Sequence, residues 1–287
     1  MNRNYSCLVL LLASPLAGAD KDRLAWQGPD QPVYVITQNH YAEGFTPDGE
    51  TARFSDLLAI EIYNPKARPA NQDAHYDVGG RLSVFFGGEK QGQVRINKVA
   101  PLQCDSTVAI VAPEPSVRLA KDGMALATNA GGVIGHANHQ RKATDQEKEL
   151  AIHLAMSEFE KHGVLEKEER NVEVDQMLVT KIDQNEGELL IAYVHLKATG
   201  AFHEVFLVAS LKGPKVETEL ARYHETKDIE DGTDSEDYRF VDQLDLDGDG
   251  IDEIVVEVTG YESEEFRILK RLNGAWGRVH VGGQGGC

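Results

Sequence analysis

The residues best placed to do chemistry are the carboxylates of Asp245-Leu246-Asp247-Gly248-Asp249-Gly250-Ile251-Asp252-Glu253. Carboxylates at positions one, three and five of such a run converge when the backbone curls around a cation. Gly250 at position six permits the sharp turn, the carbonyl of Ile251 then points inward, and Glu253 at position nine can close the shell. Calcium accepts six to eight hard oxygens in a tolerant geometry, whereas magnesium demands a stricter octahedron and ranks second. The spacing therefore predicts a calcium site with Asp245, Asp247, Asp249 and Glu253 as side-chain ligands and Ile251 as a backbone ligand. The competing reading is a solvated acidic turn. The stretch departs from an EF-hand, which needs Glu at position twelve, where this chain has Val256 and places Glu257 one residue late. The flanks Tyr238–Val241 and Ile254–Val258 are β-prone, so the loop is expected to join two strands.

Taken together, Asp245-x-Asp247-x-Asp249-Gly250-x-x-Glu253 and the following Ile254-Val255-Val256 resemble the calcium loop of FG-GAP and VCBS-type repeats. The resemblance spans about the last 50 residues and, more weakly, the repeat before them. It implies the same ligand set and a loop between strands of a blade-like sheet. An earlier copy, Asp183-Gln184-Asn185-Glu186-Gly187-Glu188, keeps the first carboxylate but is shorter, and no tight metal is expected there.

A second constellation is His136-Ala137-Asn138-His139, which could chelate zinc if one more His or carboxylate joined it. Neither a nucleophile elbow, a phosphate-binding loop, a dinucleotide glycine pattern nor a Cys-x-x-Cys pair occurs. Two function classes follow: an exported, non-catalytic protein with a structural calcium ion that binds a protein or glycan partner or serves the envelope, or an exported metal-dependent hydrolase centred on His136 and His139. Trp26, Trp276, Tyr261 and Phe266 could line a ligand groove, although core packing is the commoner fate of such residues.

The chain around these residues has 287 amino acids, enough for one large or two ordinary domains. A formal charge of −18 argues against nucleic acid and anionic membranes and suits cations. Arg3, the apolar run Cys7–Ala13, Pro15 and the small residues Ala17-Gly18-Ala19 read as a secretory signal with cleavage before Asp20, which predicts a periplasmic or secreted protein. The alternative is an uncleaved anchor, although the run is far shorter than the ~20 residues a span needs. Cleavage leaves Cys104 and Cys287, which an oxidising compartment could join as one disulfide, the glycines of Gly282–Gly286 giving the tail freedom to reach. Free or intermolecular thiols are the other possibility.

The fold class expected is α+β, mainly antiparallel β, with domains at 20–140 and 141–287. Val33–Ile36, Leu57–Tyr63, Arg81–Phe86, Val94–Val99, Thr107–Val111 and Met124–Leu126 are strand-like, and Lys121-Asp122-Gly123 reads as a hairpin turn. One helix is predicted. Thr144 and Glu147 form a capping box, Ile152, Ala155, Met156 and Phe159 make an apolar face with His153 at its edge, and His162-Gly163 ends it. Beyond it, Leu178–Asp183 matches Phe240–Asp245 and Phe206–Gly213 matches Arg267–Gly274. Each copy reads as a four-stranded, blade-like meander, and two copies would pack together with the helix on an apolar face.

Overall fold

The computed structural model describes residues 26–38, 56–66, 76–101, 107–115, 117, 123–164, 172–198, 201–212, 215–227, 236–261 and 263–286. Three of the sequence expectations fall outside them: the signal segment, the Cys104–Cys287 pairing, and most of the 121–123 turn.

The first six strands are β1 Val33–Gln38, β2 Leu57–Tyr63, β3 Arg81–Phe86, β4 Glu89–Pro101, β5 Thr107–Pro113 and β6 Met124–Thr128. They close into an antiparallel barrel in the order β1-β2-β5-β4-β3-β6, with β6 pairing both β1 and β3. The sequence had suggested only a β-rich half. Closure explains the unbroken apolar runs of β1 and β6, which are buried on both faces, whereas β4 alternates buried and exposed residues. In β1, Tyr34 and Ile36 join a core made within the barrel's half of the chain, while Val33 and Val35 join a core shared with the sheet formed by residues 236–286.

The helix α1, Asp145–Lys161, begins at Thr144 with both arms of the capping box formed and stops at His162-Gly163. Ala151, Ala155, Met156 and Phe159 are buried. His153 is exposed rather than at the margin of the buried face, because it lies one position off that stripe.

Eight further strands complete the described chain: β7 Val172–Thr180, β8 Leu189–Ala198, β9 Ala201–Lys212, β10 Lys215–Thr226, β11 Glu236–Leu244, β12 Glu253–Gly260, β13 Ser263–Leu272 and β14 Ala275–Gly286. They form two four-stranded antiparallel sheets, each in chain order. The stack runs barrel, β11–β14, β7–β10, helix, and each interface has its own apolar core. Ile254, Val256, Val258 and Leu269 face Ile191, Phe206 and Val208 across the two sheets. On the opposite side of the β11–β14 sheet, Val255, Phe266 and Ile268 face the barrel. The described chain is thus one closed barrel and two stacked four-stranded sheets, rather than the blade repeats expected.

The tail departs from expectation. Val281–Gly286 belongs to β14, hydrogen-bonded to β13, so its glycines do not confer freedom. Their smallness serves close approach: a Cβ on Gly282 would collide with the Ile62 carbonyl oxygen of β2. The candidate aromatic groove is also absent among the described residues. Trp276 and Phe266 are core residues, Trp26 packs edge-on against Tyr63, and Tyr261 is exposed.

Candidate metal centre

β11 delivers the chain to Leu244 and β12 resumes at Glu253, so the acidic loop joins two strands as expected. It folds over its own first carboxylate. Asp245 Oδ1 accepts the backbone N–H of Gly248 at 2.8 Å and of Asp249 at 3.1 Å, and Oδ2 accepts that of Gly250 at 2.9 Å. This curl requires left-handed backbone at Gly248 (φ 77°) and Gly250 (φ 89°), a region that costs glycine little. Leu246 and Leu244, both fully buried, pin the loop into the core shared with the barrel. Asp249 Oδ1 accepts the Ile251 N–H at 3.0 Å, and Glu253 Oε2 accepts the Leu246 N–H at 2.8 Å.

The carboxylates of Asp245, Asp247 and Glu253 consequently bring oxygens to within 4.8 Å of one another. Asp249 lies on the solvent side. Ile251 pairs with Asp183 of the β7–β8 loop and packs at the edge of the sheet–sheet core, while the neighbouring Asp252 N–H donates to Ile182 at 2.8 Å. The donors are all hard oxygens, the chemistry that calcium or magnesium needs.

One residue of this centre escaped the sequence reading. Lys270 of β13 is 2% exposed and places its ammonium 2.5 Å from Glu253, 2.9 Å from Asp249 and 3.0 Å from Asp247. Burial works against that charge, but the hydrogen bonds to Glu253 and Asp249 outweigh it and hold the lysine protonated. Burial pushes Glu253 up, and Lys270 pulls it back only in part, so the net direction is upward. The carboxylates therefore fit a cation, and the protein supplies a monovalent one of its own. A lysine in a buried strand register was the available signal, and it carries no mark of which acids it meets.

The segment from Asn129 to Ala143 crosses from the barrel to the helix and ties the layers together on the way. His136 Nε2 bonds Asp252 at 2.7 Å and Nδ1 bonds the Ala137 carbonyl at 2.8 Å. The Asp252 hydrogen bond pushes the imidazole up to about 9, so at neutral pH it is a cation donating from both nitrogens. His139 Nε2 instead meets Gln184 at 2.9 Å. The two rings stack with centroids 6.1 Å apart and do not converge on a shared ligand position. Gln140 donates to Asp242, a fully buried carboxyl at the β11 bulge that also accepts the Gly87 N–H at 2.9 Å. Arg141 grips Glu147 and Glu188, each at 2.7 Å. Beside His136 a cleft of about 610 Å³ opens, lined among others by Ser83, Glu89, Lys90 and Asn129.

These buried groups predict how stability follows pH. Burial pushes Asp242 up to about 7. It does the same to Glu204 and Glu257, with help from Asp237 and Glu264 respectively. Between the ordinary carboxylate range and about 7 the folded protein holds protons that the unfolded chain has released, so stability falls as pH rises through that window. The contribution of His136 is complete below its ordinary value and is lost as pH rises through about 9. Both signs agree. Melting temperature should fall steadily from pH 5 to pH 9, and His136→Gln should flatten the upper part of the curve. A melting temperature that climbs across this range would contradict the assignment.

No protein-family model matches the chain, and no curated protein or solved structure matches it either. Among the described residues, no helix is long and apolar enough to cross a membrane.

Proposed function

We propose that this chain is an exported, non-catalytic protein, periplasmic or secreted, whose Asp245–Glu253 loop takes a structural calcium ion in the manner of FG-GAP and VCBS-type loops. Its role would be to bind a protein or glycan partner or to serve the envelope. The observation carrying the reading is the convergence of Asp245, Asp247 and Glu253 on one small volume, in a loop already curled by its own amides. Calcium there would offset the carboxylate charge that the single ammonium of Lys270 leaves unbalanced and fix the loop beside the barrel. Ile251 would contribute its backbone carbonyl and Asp249 would close the solvent side.

The competing hydrolase reading draws on the cleft beside His136. It is the weaker one, because a doubly donating imidazolium has no lone pair for zinc or for a proton. The test is a calorimetric calcium titration of the mature protein together with melts in chelator. Calcium should bind in the range of extracellular modules, about 10⁻⁴–10⁻³ M. It should raise the melting temperature, and Asp247→Ala should abolish both effects. Absence of calcium binding would end the calcium reading, and stoichiometric zinc in purified protein would revive the hydrolase.

A further inference from the structure

The acidic loop contains four carboxyl groups in its ligand positions and one ammonium among them. That ammonium does not sit beside the cradle. It contacts Asp247, Asp249 and Glu253 together, three of the four side chains a calcium ion would need. Lys270 reaches them from a fixed strand register, since Glu253 and Lys270 adjoin the paired residues Ile254 and Leu269 of β12 and β13. We propose that Lys270 is the resident cation of this loop and that a divalent ion enters only by displacing it. The lysine would then keep the loop folded without metal and set how much calcium is required.

The first sheet has a similar hairpin, preceded by a shorter loop with Asp183, Glu186 and Glu188, in which Lys212 meets Glu186 at 3.1 Å. Counting seven residues out from the pair Gly260–Ser263 reaches Glu253 and Lys270 (260 − 7 and 263 + 7). The same count from Ala198–Ala201 reaches Ile191 and Val208 (198 − 7 and 201 + 7), which are paired directly and buried at 1% and 0% exposure. The hairpins thus align one residue away from the register that sequence matching suggests, which had set Ala209 against Lys270. At this count from the turn the first sheet carries an apolar pair in place of Glu253 and Lys270. A lysine placed for general solubility would not be buried. Two charges removed from water at a strand pair need compensation from a specific neighbour, and the loop carboxylates provide it.

This inference rests on the calcium reading, and the experiment separates the two. Calcium would be titrated calorimetrically into the full mature chain and into Lys270→Met. With its competitor gone, the variant should bind calcium roughly tenfold tighter or more. It should melt lower than wild type in chelator and recover in calcium. Equal affinities in the two proteins would overturn the competition while leaving the calcium site intact. Binding in neither would overturn the site and the competition with it. A second measurement needs no variant: acetylation of wild-type lysines read by mass spectrometry. Lys270 should react slowly in chelator and several-fold faster in saturating calcium. Equal protection in both conditions would show that the ion does not displace it.

Discussion

Glu253→Ala should cost about 3–5 kcal/mol in metal-free protein, the range for removing one partner of a buried ion pair. Glu253 is 0% exposed and Lys270 2% exposed, so no water can take over the missing contact at 2.5 Å. Two further groups suffer. The Leu246 N–H loses its acceptor at 2.8 Å, and the ammonium is left with Asp247 and the solvent-side Asp249. A stranded buried charge costs more than the pair contributed, because desolvation has already been incurred. Replacing both partners should behave differently. The double variant Glu253→Ile with Lys270→Val replaces the two buried charges with an apolar pair. It should recover most of the loss, even though each single change is harmful. Urea unfolding in chelator measures all three proteins. A single variant within about 1 kcal/mol of wild type, or a double variant no better than the single, would show that the two side chains are not an energetic unit.

Legibility from sequence followed the range of the interactions. The helix was readable because its cap, stripe and stop lie within one contiguous segment, from Thr144 to Gly163. The acidic loop was readable for the same reason: its carboxylates and glycines lie within nine residues, and their order reflects a local curl. Lys270 was not, because it reaches Glu253 across 17 residues through a strand register. His136 and Asp252 are 116 residues apart, and Gly87 and Asp242 are 155. Residue type offered no hint of either meeting. The barrel was hidden for a related reason. Its strands were visible one by one, but closure depends on β6 pairing with both β1 and β3, and a strand's own residues do not state its neighbours. The glycine tail was misread because glycine has two uses. Freedom was inferred from composition, whereas the requirement is the nearness of Ile62, which only the folded chain reveals.

That same seam between barrel and sheet supports the other large effect. Phe266 is completely buried in the core shared by the barrel and β11–β14, and β14 runs directly over β2 at Ile62. Phe266→Ala should lose about 3–5 kcal/mol, the transfer energy of the ring plus the cavity it leaves. The cavity cannot readily collapse, because both walls are sheets buried on their far sides as well. Melting should remain a single transition, since the barrel and the sheets still share Val33, Val35, Leu58, Val255 and Ile268. Gly282→Val acts at the same seam by a different cause. Its side chain would drive into the Ile62 carbonyl oxygen, and β14 would have to lift from β2. The two halves should then uncouple, with calorimetry showing two transitions where Phe266→Ala shows one. The acidic loop would feel this change, because Leu244 and Leu246 anchor it in the same shared core. On the proposed calcium reading, calcium affinity should fall in Gly282→Val although none of the proposed ligands has been altered. If Gly282→Val melts as wild type does in one transition, the barrel is not held to the sheets through this seam, and the loop must owe its placement to the crossing segment at His136.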